Sequence, residues 1–314
     1  MKAKTVSTLL LMTGLLQLAA GQITDAEDKL KTKSTNEHTG WKIGGVTALN
    51  LAQTSLTNWA AGGENSLALN GLFSAFANYK KGKNVWDNSL DLGYGVLKQG
   101  KDADFMKTDD KIDFLSKYGR EAFTNVYYSA LFNFKTQMAP GYNYPNDSVK
   151  ISNFLAPAYI LAAIGMDYKP NAYLSTFIAP ATGRLIIVND ELLSNAGAFG
   201  VEPGKTTKAE FGGYLRAIYT RNDFKTELLK NLSFTIKIDL FSDYLDHPQN
   251  IDINWETLVA FKVNQYISVN FTSHLIYDDD TKISIDKDND GVIDEFGPRV
   301  QFKEILGVGF SYKF

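Results

Sequence analysis

The chain has 314 residues, a formal charge of −3 and no cysteine. That combination excludes a disulfide framework and a thiolate metal site, and a near-neutral balance gives no electrostatic case for nucleic acid. Aromatics at 13%, with 25 glycines and only 8 prolines, suit a twisted sheet with rings at a membrane boundary.

Residues 1–21 read as a cleaved signal peptide. Lys2 and Lys4 supply the charged start, Leu9–Leu16 a short apolar stretch, and Ala19-Ala20-Gly21 the small residues of a cleavage site. A membrane anchor is the competing reading, but the apolar run is short for a spanning helix. With no cysteine after the signal, a lipoprotein is excluded. Residues 22–40 are polar, charged and without periodicity, and read as a periplasmic lead-in.

From Trp41 onward, period-two alternation dominates. It predicts strands at 41–51, 64–80, 84–98, 110–118, 124–137, 153–168, 172–187, 206–220, 231–244, 253–264, 267–278 and 299–314. Short links (Lys81-Gly82-Lys83, the Gly119-Arg120-Glu121 region, Lys169-Pro170-Asn171, Arg221–Asp223, Asn264-Gln265) alternate with longer ones. Turns on one side and loops on the other are the habit of transmembrane barrels. The expected fold is therefore all-β: a twelve-stranded antiparallel transmembrane β-barrel over 41–314, with both termini periplasmic. The link from Arg221 to Asn231 is longer than its counterparts and is expected to hold an irregular turn.

Aromatics flank the short links: Tyr79 and Trp86, Tyr118 and Phe123, Tyr168 and Tyr173, Tyr219 and Phe224, and Tyr266, with Trp41, Tyr312 and Phe314 at the termini. They are expected to form a periplasmic girdle. Parity sorts the remaining side chains. In 231–244, Leu232, Phe234, Ile236, Ile238 and Leu240 share one face and Lys237, Asp239 and Asp243 the other, with Phe241 the exception. The charges assigned to the lumen in this way are Lys42, Asp87, Asp91, Arg184, Glu210, Arg216, Lys237, Asp239, Asp243, Glu256 and Lys262, joined by His274. They read either as the lining of a narrow polar route or as a paired network filling the interior. Phe154–Ala158 and Phe177–Ala181 repeat a Phe-x-Ala-Pro-Ala pattern, and their prolines are expected to mark two bulges in neighbouring strands.

The last nine residues, Leu306–Phe314, alternate Leu, Val, Phe, Tyr and Phe with Gly, Gly, Ser and Lys. This ending resembles the signal by which outer-membrane barrels are delivered to their insertion machinery. A second resemblance rests on Gly40-Trp-Lys-Ile-Gly-Gly45, Asn58-Trp-Ala-Ala-Gly-Gly63, Asn65-Ser66, Leu69-Asn70-Gly71, Tyr79–Lys83, Trp86-Asp-Asn88 and Leu92-Gly-Tyr-Gly95. With these motifs the chain resembles the Bacteroidota outer-membrane family catalogued as domain of unknown function 3078. The resemblance implies an outer-membrane barrel in a Bacteroidota-type bacterium and brings no catalytic residues.

Asp286, Asp288, Asp290, the Val292 carbonyl and Asp294 fall at the spacing of a calcium-binding loop, with Gly291 at the turn position. Gly297 stands where an EF-hand has its bidentate glutamate, so a weak calcium site that orders the loop and a solvated acidic loop both remain open. Trp59, in the first outward loop, reads as an interface anchor or as a platform over the mouth. Ser273 and His274 are adjacent on a strand and point to opposite faces, so they cannot form a catalytic pair. The leading functional expectation is a non-enzymatic channel or receptor-like barrel for small polar solutes, without catalytic residues or organic cofactor. A sealed barrel serving as a partner-binding subunit is the alternative, and a barrel-embedded lipid hydrolase the third. The expected partners are the lipid bilayer, the insertion machinery and small solutes.

Overall fold

The computed structural model describes residues 39–57, 63–101, 103–144, 147–264, 267–285 and 294–313. The signal peptide, the lead-in up to residue 38, Trp59, Tyr266, Phe314 and residues 286–293 lie outside the described residues.

Sixteen strands are present among the described residues, with one short α-helix and one 3-10 turn at Ala198–Gly200. In chain order they are β1 (Gly40–Thr54), β2 (Ser66–Lys81), β3 (Asn84–Gln99), β4 (Met106–Phe123), β5 (Val126–Thr136), β6 (Gly141–Tyr142), β7 (Lys150–Ser152), β8 (Ala158–Tyr168) and β9 (Leu174–Ile187). The helix α1 (Glu191–Asn195) follows, then β10 (Thr207–Arg221), β11 (Leu232–Asp243), β12 (Ile251–Lys262), β13 (Ser268–Tyr277), β14 (Ile283–Ile285), β15 (Glu295–Gly297) and β16 (Gln301–Lys313). The four short strands form two hairpins within loops, β6 with β7 and β14 with β15. The twelve long strands make one antiparallel sheet in the order β1, β16, β13, β12, β11, β10, β9, β8, β5, β4, β3, β2, with β1 returning to β2. The β1–β2 register covers every residue of β1, from Gly40↔Lys80 to Thr54↔Ser66. The β1–β16 register covers only Val46↔Lys313 to Leu49↔Phe310.

Burial is inverted relative to a water-soluble sandwich. Asp167, Glu210 and Lys237 are 1%, 4% and 4% exposed, whereas Ile43, Ile164 and Leu306 are 73%, 69% and 73% exposed. Alternation accounts for this: in β11, Ser233, Thr235, Lys237, Asp239 and Phe241 are buried while the intervening Phe234, Ile236, Ile238 and Leu240 are half-exposed. The polar set lines the lumen and the apolar set the outer wall.

Three local expectations need correction. Gly119, Arg120 and Glu121 do not form a turn; they continue β4, and the chain reverses at Asn125, whose φ is 62°. Gly119 is needed for space, because a Cβ there would lie 2.9 Å from Ser129 Oγ and 3.0 Å from a methyl of Val85. The strand expected from 153 begins at Ala158, because Asn153 and Ala156 close a tight reversal by exchanging backbone hydrogen bonds. Pro157 therefore precedes its strand, and only Pro180 sits at a bulge, where the β8–β9 register slips between Ile164 and Met166. The link after Arg221 runs through a turn in which Thr226 O accepts from the amides of Leu229 and Lys230.

Two glycines mark close backbone approaches. A Cβ on Gly165 would lie 2.0 Å from Ile178 O, and one on Gly212 would lie 1.8 Å from Ser242 O. Gly183 has nothing within 4 Å of that position. Gly212→Val should therefore cost about 3 kcal/mol, read as a lower denaturation midpoint of the refolded barrel, while Gly183→Val leaves the midpoint unchanged. Equal midpoints for the two variants would refute this packing account.

Candidate functional site

The lumen is the candidate site. Period-two strands place its side chains, and three clusters occupy it. At the short-turn end, Lys169 lies just past β8 and reaches Asp167 at 3.2 Å and Asp87 of β3 at 3.3 Å. Lys117 of β4 meets Asp167 at 2.6 Å, and Ser175 donates to the same carboxylate at 2.8 Å. The Lys169 ammonium also stands 5.2 Å from the Tyr127 ring centroid. Asp91, nearby on β3, accepts from Ser74.

The second cluster lies across the middle. Lys237 pairs with Glu256 at 2.9 Å, and Arg216 with Asp239 at 3.3 Å, while Tyr214 donates to Asp239 at 2.7 Å. Asp113 of β4 accepts from Asn133 at 2.7 Å and has Lys111 and Lys135 each at 3.9 Å. Lys237 and Arg216, on β11 and β10, act electrostatically on Asp113. The β11 wall is five strands from β4 round the ring, so charges from nearly opposite walls meet. Several carboxylates facing several cations share the desolvation cost that an isolated buried charge cannot bear.

The third cluster lies at the long-loop end. Arg184 of β9 pairs with Glu210 of β10 and, at 2.6 Å, with Asp252 of β12. Its guanidinium carbon stands 4.1 Å from the Phe241 ring centroid. That stacking explains the exception noted in the sequence: Phe241 faces inward, where Phe177, Tyr214, Leu131 and Leu161 give it an apolar patch. Lys208 bridges Glu210 at 3.0 Å and Asp280 of the β13–β14 loop at 2.5 Å, and Asn250 donates to Asp279 at 2.5 Å. Loops thereby close toward each other over an acidic recess lined by Asp243, Asp246, His247, Asn250, Asp252, Asp279 and Asp280. Beside it, Asp190 caps α1 and takes hydrogen bonds from Lys150 and Asn153, both at 2.8 Å. The Lys150 bond holds the Asp190 carboxyl below the usual carboxylate range.

Filling is uneven around the ring. The packed side runs from β4 through β5 and β8 to β11. At the edge of that side Lys111 of β4 is 38% exposed, and on the other side Lys303 of β16 is 47% exposed and reaches Asp109 of β4 at 3.1 Å.

Of the residues assigned to the lumen by parity, Asp87, Asp91, Arg184, Glu210, Arg216, Lys237, Asp239 and Glu256 enter these clusters. His274 shares a hydrogen bond of 2.7 Å with Asn254, and Ser273 pairs in register with Thr257 on the opposite face. Lys42 lies opposite Asn78 and is exposed at the short-turn end, Lys262 lies opposite Ser268 at the same end, and Asp243 lines the recess. Lys117, Asp113, Asp167, Lys169 and Asp252 were not singled out in the sequence. Their signal was present as Asp-x-Lys at 167–169 and the alternating charges of 109–117.

The aromatics beside the short turns lie on the outer wall. Trp41 stacks near Tyr79 and Trp86 at 5.2 and 5.7 Å, and Tyr219 near Tyr173 and Phe234 at 6.5 and 6.4 Å. Tyr118, Phe123 and Tyr168 are exposed, while Arg221 covers Phe224 at 4.9 Å. Tyr312 stands opposite Thr47. A second set at the long-loop end, including Tyr94, Phe211, Tyr244, Trp255 and Phe302, is also exposed and escaped the sequence reading. Of the expected calcium ligands, Asp286, Asp288, Asp290 and Val292 lie outside the described residues; Asp294 is exposed beside β15.

Among solved structures, the translocator domain of the autotransporter NalP from Neisseria meningitidis is 10% identical, with 98% of each chain covered and a TM-score of 0.38. An outer membrane channel from Pseudomonas putida is 9% identical over 90% of this chain and 98% of its own, with a TM-score of 0.39. No curated protein matches the sequence. Residues 51–142 match the family described as "Protein of unknown function (DUF3078)".

Proposed function

We propose that the protein is a non-enzymatic outer-membrane β-barrel with a lumen closed by its own charged side chains, serving as a sealed or receptor-like barrel. The membrane assignment is supported by the inverted burial and by the two aromatic sets. Trp86 and Tyr94 on β3, and Tyr219 and Phe211 on β10, are each eight residues apart. At about 3.4 Å per residue and a tilt of about 40°, that separation spans about 20 Å, close to the apolar band of such barrels. The turns and both termini then face the periplasm, and the long loops face outward.

The single observation that favours a closed lumen is the burial of paired charges inside the ring, some of them joining strands that are not neighbours, as in Lys117–Asp167 and Arg184–Asp252. Asp113, Asp167, Glu210, Lys237 and Asp239 are at most 7% exposed, although water in an open pore would reach them. A narrow route for small polar solutes keeps one observation in its favour, the exposure of Lys303 on β16 and of Lys111 at the edge of the packed side. We further propose that the β14–β15 hairpin holds Ca²⁺ through Asp286, Asp288, Asp290, the Val292 carbonyl and Asp294. Hard oxygens at this spacing suit the ion, which would order the loop.

Two measurements test these readings. In planar bilayers the folded protein should show no steady conductance. Arg184→Met, which leaves Glu210 and Asp252 without their shared cation, should lower stability by about 3–5 kcal/mol and produce discrete openings. Steady conductance of the unaltered protein would instead establish the channel. For the hairpin, Ca²⁺ should raise the melting temperature relative to a chelator, and Asp288→Ala should abolish the difference. An unchanged difference in Asp288→Ala removes the site.

A further inference from the structure

We infer that the β1–β16 junction is a lateral opening through which an amphipathic lipid passes between the lumen and the outer half of the bilayer. The inference rests on the membrane-barrel reading and adds a substrate class and a route.

The first observation is the register. β1 and β16 are zipped from Val46↔Lys313 to Leu49↔Phe310 and, among the described residues, share no pair beyond it. On its other side β16 pairs with β13 from Gln301 to Gly309. The part of β16 from Gln301 to Val308 therefore has a ladder on one edge only. The facing part of β1, Leu51–Thr54, pairs only with β2. Every other neighbouring pair of long strands is laddered over nine residue pairs or more.

The second observation is depth. Leu49 and Leu51 are 56% and 47% exposed on the outer wall of β1, and Phe302 and Leu306 are 61% and 73% exposed on β16. The outer wall of the unzipped half thus carries Leu51, Phe302 and Leu306 at the level of the outer leaflet, with Gln53 and Glu304 exposed between them. Backbone donors and acceptors cannot be left facing hydrocarbon, so this edge must close on itself or be covered by a polar group.

The third observation is what lies behind the rim. Asn50 packs against Gly309 at the end of the zipped part, and its Oδ1 is buried without a hydrogen-bond partner. Lys303 projects from the unzipped half into the lumen and is held by Asp109, and His274 and Asn254 stand in the adjoining strands. A rim with Leu51, Phe302 and Leu306 on its outer face, broken by Gln53 and Glu304 and opening onto a polar interior, matches a molecule with an acyl chain and a polar head: the chain stays in the bilayer while the head meets the lumen and the free edge. Small water-soluble solutes would gain nothing from an apolar rim, and a packed lumen gives them no straight path.

The experiment places p-benzoylphenylalanine at Ala52, on the lumen face of the unzipped half, in the full chain carrying Gln53→Cys and Leu306→Cys. Continuing the zipped register places these two cysteines opposite each other. The folded barrel is irradiated in phosphatidylcholine vesicles containing phosphatidylglycerol tritiated in its acyl chains. The expected result is a labelled adduct in the reduced protein that is lost once the disulfide has formed. No adduct in the reduced protein, or an undiminished adduct in the disulfide-closed protein, overturns the inference. The same photoreactive residue at Ile43, on the outer wall, reports the membrane reading separately. Capture at Ile43 without capture at Ala52 overturns the lateral route alone, and no capture at Ile43 overturns the barrel's place in the membrane.

Discussion

A strand within a sheet satisfies its backbone only when both edges are paired, so the whole architecture depends on where the first strand meets the last. Eleven neighbour relations are made by hairpins and loops between strands adjacent in the long-strand order, with local registers that fold can establish one after another. The twelfth, β1 with β16, joins the two ends of the sheet and is the only one that no turn helps to form. It is also the shortest. Loop-closure entropy falls most heavily on this contact, and beside it Gly309 leaves the space that Asn50 occupies.

Once the ring exists, alternation decides the rest. Inward residues have no hydrophobic alternative to one another, so the charges must pair. They do so across distances in sequence that no local pattern specifies: Lys169 with Asp87, Arg184 with Asp252, Lys303 with Asp109. The packed side combines buried pairs such as Lys117–Asp167 and Arg216–Asp239 with an apolar patch around Phe177 and Phe241, which makes one half of the barrel resemble an ordinary core turned inside the sheet. The other half, bordering the junction, lacks that patch, and Lys303 there stays half-exposed.

Most strands were legible because period two survives in each of them, and the parity of β11 and β12 followed directly from where Lys237, Asp239 and Glu256 stand among Phe, Ile and Val. The turn at Asn125 was not legible, because Gly119-Arg120-Glu121 carries stronger turn chemistry than Thr124-Asn125. A glycine required for packing against Ser129 and Val85 looks the same in sequence as a glycine required for a positive φ. Likewise Phe241 broke the parity of its strand for a reason that lies in Arg184, fifty-seven positions away. The outer aromatic set went unread because Tyr94, Phe211 and Trp255 stand within strands rather than beside turns. Partners across the lumen were out of reach for the same reason: parity says that a side chain points inward and nothing about what it meets there.

The uneven filling bears on how the ring holds its last strand. A lumen uniformly packed would hold its first and last strands together through its own contents, and a uniformly open one would let water support a free edge. Here β16 is joined to β13 by a nine-pair ladder, and its Lys303 reaches Asp109 of β4 through a half-exposed pair. An exposed pair contributes little, so the backbone ladder to β13 carries most of the hold on β16. Among the described residues β16 is the long strand with the fewest ladder pairs, nine to β13 and four to β1.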